Sequence, residues 1–261
     1  MFSGFNLLIL LFYLFGIIIE LASLIIGCII VSGKIRSVKI LGAGYIVSGI
    51  FGSLSQAAFL ARFIVRTPDM ITFLNNAELV MSVIASLFGT LCICLFVHKN
   101  YGCKWIYFPL FAQPVVSAFS RVVSAAVLSR AGSEMLVAGT GLSTSVTGLV
   151  TGSVSAVILI IVFFKNRKVE KIIPHAWIFR LVSYLWGIVL TIAGIAFYAY
   201  CLSGGSDSEK IYFNLLERFT LFQFAHSVIS YIVSLAMPVY ILVMAKRAER
   251  KLKETAPYIE D

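Results

Sequence analysis

Residues 105–129 read WIYFPLFAQPVVSAFSRVVSAAVLS. A helix needs about 20 residues to cross a bilayer, and this run has them. It carries Pro109, Pro114 and Gln113, with one arginine, Arg121, deep inside. Three more apolar runs precede it, at 5–32, 40–65 and 71–97, and three follow, at 135–164, 177–202 and 213–245. Backbone groups in hydrocarbon must bond within their own segment, so each run is expected to be a helix. The predicted fold class is all-α: a polytopic integral membrane protein built as a seven-helix transmembrane bundle.

Working outward, 60% of the 261 residues are hydrophobic and 13% are charged, where soluble domains carry about 25% charge. No polar segment is long enough for a soluble domain. The longest is the basic tail, 246–261, expected to continue helically for about two turns and end near Pro257. The N-terminal run has no basic residue ahead of it, is long, and contains Glu20, so it is read as the first membrane helix and not as a cleaved leader.

The net charge is +9. Fifteen Lys and Arg fall after the odd-numbered spans, and four fall on the opposite face, at Arg66, Arg130, Lys210 and Arg218. Cytoplasmic loops carry such an excess, so the N-terminus is expected outside and the C-terminus in the cytoplasm. Topology accounts for the basic balance, and no nucleic-acid partner is implied. The expected partner is the lipid bilayer, with the basic inner loop 165–171 and the tail as a place for a cytoplasmic one. The odd number of cysteines, five, gives no disulfide framework. Cys94 and His98 lie one turn apart, but their spacing fits no trusted metal motif, and no cofactor is implied.

An ionisable side chain inside a membrane costs about 2.5–3.5 kcal/mol on insertion scales, so each is a functional candidate. Arg121 lies about 12 Å below the outer end of the fourth span at 1.5 Å per residue. Gln56 is at similar depth, and Gln223 and His226 are about 11–18 Å down the seventh span. Glu78 and Glu217 head the third and seventh spans. These six residues predict a ligand-binding polar cavity in the outer half, with Arg121 paired to Glu78 or Glu217. Glu20, mid-way along the first span, is the candidate proton-coupling group.

Glycines mark close helix approach. The second span has Gly42, Gly44, Gly49 and Gly52. The fifth has Gly148, Gly152 and Ala156, a small-residue stripe expected to pack within the monomer. With few bulky side chains for lipid, the fifth helix is expected at the centre of the bundle.

Known seven-span families fit poorly. The seventh span has no lysine between 213 and 245, so a rhodopsin-type Schiff base has no amine. Gly141-Leu142-Ser143-Thr144 with Ala225-His226 is similar to the serine and histidine patches of rhomboid proteases, which would imply a nucleophile and its base at one depth. The glycines after that histidine are missing, and intramembrane proteolysis stays a remote alternative. The reading favoured is a small-solute carrier or permease-like protein and not an enzyme. The alternatives are a seven-helix receptor or sensor and a structural subunit of a membrane complex.

Overall fold

The structure is a computed structural model that describes residues 4–65, 67–102, 105, 107–128, 134–166, 176–203 and 208–255. Within those helices the side chains of Gln113, Arg121 and Glu217, among others, lie outside the described residues. The helices are α1 (Gly4–Ser32), α2 (Lys39–Ala61), α3 (Pro68–Tyr101), α4 (Tyr107–Leu128), α5 (Glu134–Asn166), α6 (Ala176–Ser203) and α7 (Ser208–Thr255). A single 3-10 turn, Arg36–Val38, leads into α2. The seven apolar runs are therefore seven helices, and no strand occurs among the described residues. Six of them hold a stretch long and apolar enough to cross a membrane. Among the described residues the apolar stretch of α4 is shorter, Leu110–Ser120.

Consecutive helices pack in order, and α7 closes on α1. The bundle is thus a sequential ring whose two ends differ in charge. Lys34, Arg36, Lys39 and Lys99, with Lys246, Arg247 and Arg250 of α7, make one basic end. α7 is unbroken from Ser208 to Thr255. Its last turns rest on the α1–α2 turn, where Glu249 Oε1 accepts a hydrogen bond of 2.7 Å from the Lys34 backbone N–H. Lys246 Nζ lies 3.1 Å from Glu249 Oε2. The base of the tail is docked on protein.

Glycine sets the tightest interfaces. A Cβ at Gly42 would stand 3.0 Å from the Gly27 carbonyl oxygen, so α1 and α2 meet nearly backbone to backbone. On α5, a Cβ at Gly148 would stand 2.9 Å from Thr191 of α6, and one at Gly152 would stand 3.6 Å from Ile188. The small-residue stripe therefore packs inside the monomer, against α6.

The expected central place of α5 is not what the ring shows. α5 sits between α4 and α6, and Val146, Val150, Val154, Val157 and Ile161 are exposed along one face. Their spacing of three and four residues is one side of a helix. The glycines of α5 serve one neighbour, and its valines are left for lipid.

The main apolar core lies at the basic end. Ile30, Val38, Leu41, Val97, Leu110, Leu159, Val162 and Ile241 are buried together there, drawn from the terminal turns of α1 to α5 and from α7. They form a dry plug across that end of the ring.

Candidate functional site

Inward of this plug lies a cavity of about 430 Å³. Small-molecule sites commonly measure about 300–1,000 Å³, so it has room for a small solute. Among the described residues, every helix except α5 lines it.

Its polar lining comes from short stripes of small side chains. α2 presents Ser48, Gly52, Ser55 and Gln56; α3 presents Ser82, Ser86, Gly89 and Thr90; α7 presents Ser230, Tyr231 and Ser234. Spacings of three and four residues keep each stripe on one helix face. α4 contributes Pro114 and Ala118. Pro114 lies inside α4 and has no N–H to give the carbonyl one turn back. It removes one helix bond beside the cavity.

Glu20 of α1 lines the cavity, seated by glycine. A Cβ at Gly52 would stand 2.7 Å from the Glu20 Cδ, and one at Gly49 would stand 2.7 Å from the Glu20 carbonyl oxygen. The two glycines are three residues apart on one face of α2, and larger residues would fill the carboxyl's seat. Beside it, Gln56 Nε2 donates to the Tyr231 hydroxyl at 2.8 Å, and Tyr231 lies within electrostatic reach of Glu20. Gln56 Oε1 is buried and has no hydrogen-bond partner among the described residues. Turning the amide over would orphan its nitrogen instead, since a hydroxyl serves either end.

Arg180 lies on the cavity floor near Tyr45 and Phe179. Its guanidinium stands over the Tyr184 ring, 5.1 Å from the centroid. Its electrostatic neighbours are Tyr184, Tyr45 and Cys94, none of them a carboxylate. No carboxylate pairs with it among the described residues, whose ion pairs are Arg62–Glu78 and Lys246–Glu249. The Tyr45 hydroxyl is buried and has no hydrogen-bond partner among the described residues. Arg180 is among the fifteen Lys and Arg that the charge pattern of the sequence assigned to the cytoplasmic side. The residue is four positions inside α6.

The seven sequence candidates separate. Glu20 and Gln56 share the cavity. Glu78 binds Arg62, which bonds through Nη1 to Asn75 and through Nη2 to Glu78 and stacks 4.1 Å over Phe59. Arg62 escaped notice in the sequence because it closes an apolar run. His226 is buried at the α6–α7 seam: its Nε2 lies 2.7 Å from the Trp186 carbonyl oxygen, and the two rings stack at 4.9 Å. Trp186 Nε1 donates back to the His226 carbonyl oxygen at 3.1 Å. Gln223 is half-buried on α7 and is not part of the cavity lining. The side chains of Arg121 and Glu217 lie outside the described residues.

The cavity thus runs from the level of Gln56 toward the basic end, reaching further inward than the outer half in which the sequence placed it. The Ser143–His226 pair suggested by the protease-like patches is not formed. Ser143 is exposed on α5, and the nearest hydroxyl to His226 Nδ1 is that of Ser230, at 3.4 Å.

No protein-family model, curated protein or solved structure matches the chain. The functional reading therefore rests on the site.

Proposed function

We propose that the protein is a carrier for a small polar solute, with the central cavity as its binding site, set in the cell membrane with its basic end toward the cytoplasm. The observation that carries this is a hydroxyl-lined cavity inside a seven-helix ring, closed on the basic side by an apolar plug. A carrier needs a mid-membrane site and a barrier between that site and at least one face. Glu20 is twelve residues before Ser32, about 18 Å from the basic end at 1.5 Å per residue. It is the one acidic residue in the described lining, and a carboxyl that gains and loses a proton there is what coupling requires. Release toward the basic end requires Val38, Val97 and Ile241 to part.

The test is uptake into liposomes containing only the purified chain. Saturable uptake of a small polar solute, driven by a proton gradient and lost in Glu20→Gln, is the expected result. Binding without flux would overturn the carrier reading.

One observation favours a sensor as the second reading. α7 runs without a break from the cavity residues Ser230 and Tyr231 to Glu249, which holds the α1–α2 turn. A sensor would bind solute, move none, and release that turn to a cytoplasmic partner. Exchange of the Lys34 amide hydrogen that changes with solute would identify it.

A further inference from the structure

Arg180 is costly as it stands. A guanidinium inside a membrane protein is expensive unless it reaches water, headgroups or an anion. Arginines near a helix end normally reach for headgroups along their own flexible stem. On α6 that escape lies toward the basic end, four residues away at Ala176. Helical side chains also tilt toward their own N-terminus, which here is the same direction. The guanidinium of Arg180 stands over the ring of Tyr184, four residues on, and the residue lines the cavity. Phe179, Leu181 and Tyr184 beside it pack against the apolar plug.

The surroundings offer the Tyr184 side chain as a hydrogen-bond partner and, among the described residues, no carboxylate. The charged fork of Arg180 and the unsatisfied hydroxyl of Tyr45 both belong to the cavity floor. Neither Tyr184 nor Cys94 is a carboxylate. The described cavity lining has one cation, Arg180, and one acid, Glu20. Glu20 sits about 12 Å further from the basic end than Arg180, at 1.5 Å per residue, too far to neutralise it directly.

We propose that Arg180 and the Tyr45 hydroxyl form an anion subsite on the cavity floor that holds the carboxylate of a small hydroxylated organic acid. This rests on reading the cavity as the solute site, and it names the solute class. A planar guanidinium matches the two oxygens of a carboxylate. One cation balances one negative charge, so a monocarboxylate is favoured over dianionic phosphate. The rows Ser48–Ser55, Ser82–Thr90 and Ser230–Ser234 then meet the solute's own hydroxyls. A proton on Glu20 travelling with one carboxylate on Arg180 makes the load electroneutral.

The experiment uses the full chain in lipid nanodiscs at neutral pH. Binding of ¹³C-carboxyl-labelled lactate, glycerate and gluconate is followed by line broadening, with inorganic phosphate and choline as comparison probes. Saturable binding of at least one carboxylate, and neither comparison probe, is expected. Arg180→Gln should weaken it by at least about thirtyfold, since truncating one partner of a buried charge pair costs 2–5 kcal/mol. Tyr45→Phe should weaken it by about two- to tenfold, the worth of one hydrogen bond, and Arg180→Lys should restore part of the loss. Equal affinity in Arg180→Gln, phosphate in preference to every carboxylate, or no binding of any acid would each overturn the subsite. Arg180-dependent binding with no flux in liposomes would uphold the subsite and remove the carrier. Flux of a solute indifferent to Arg180 would do the reverse.

Discussion

Two arginines at opposite ends of the ring show what pairing does to a buried cation. Arg62, at the end of α2 away from the basic face, is enclosed by its own chain: Glu78 and Asn75 on α3 take its two terminal nitrogens, and Phe59 covers one face. Phe59 in turn stacks on Tyr13 of α1 at 3.6 Å. Arg180, near the start of α6, has an aromatic ring beneath it and no carboxylate among the described residues. The first cation serves the fold, joining α2 to α3. The second touches Tyr184 of its own helix and joins no carboxylate among the described residues. Charge left open toward a cavity is what distinguishes a site from a strut.

The comparison can be broken by stability measurements, made as unfolding in mixed detergent micelles. The largest loss is expected at the strut. Glu78→Leu leaves Arg62 uncompensated, which for a fully buried pair costs about 3–5 kcal/mol. The two side chains are 22% and 32% exposed, so screening brings the expected cost to about 1–3 kcal/mol. Replacing Arg62 by Leu as well should recover most of it. A Glu78→Leu protein as stable as wild type would mean that the strut does no work.

Next comes the docked tail. Glu249→Ala removes the acceptor of the Lys34 N–H bond and the contact with Lys246, and should cost about 1.5 kcal/mol. Hydrogen exchange at Lys34 should rise with it. Unchanged protection there would show that the end of α7 is not held by this contact.

Tyr231→Phe tests a residue with one foot in each class. It bonds Gln56 and also faces the cavity. The expected loss is about 0.5–1 kcal/mol, smaller than at the strut, together with weaker solute binding. The smallest effect belongs to Arg180→Gln. It gives up a cation–π contact and relieves an uncompensated charge, so stability without solute should change by less than about 0.5 kcal/mol. A large loss there would make Arg180 a strut like Arg62 and end the contrast.

How much was legible in the sequence follows from what each signal depends on. Helix positions depend on long apolar runs, a local property, and all seven appear where those runs lie. Glu20 and Gln56 stood out because a polar residue within such a run must face protein or water. Arg180 was hidden for the opposite reason: it lies four residues inside α6, close enough to the end to pass as a flanking charge. Direction, which decides its role, is a property of its rotamer and neighbours. The hydroxyl lining had a readable signal in Ser82, Ser86 and Thr90, each four residues from the next, with Gly89 alongside. Serine is so common in membrane helices that the stripe carries weight only once two more helices present the same face. The partners of Glu78 and His226 were not legible, because depth alone cannot say which neighbour in a ring is adjacent. Glu78 met Arg62 at the end of the preceding helix, and His226 met the Trp186 carbonyl across the α6–α7 seam. The place of α5 was misjudged because glycine content reports close packing on one side and says nothing of the other.

The central claim is that the solute binds inside the ring and not on its surface. The most direct measurement compares two tryptophan substitutions by binding of the labelled carboxylates and by liposome uptake. Ser86 lines the cavity on α3, whereas Val150 is 57% exposed on the outer face of α5. Ser86→Trp should fill the cavity and abolish binding and uptake while the protein still folds and inserts, and Val150→Trp should leave both unchanged. Full binding and uptake in a folded Ser86→Trp protein would contradict the account.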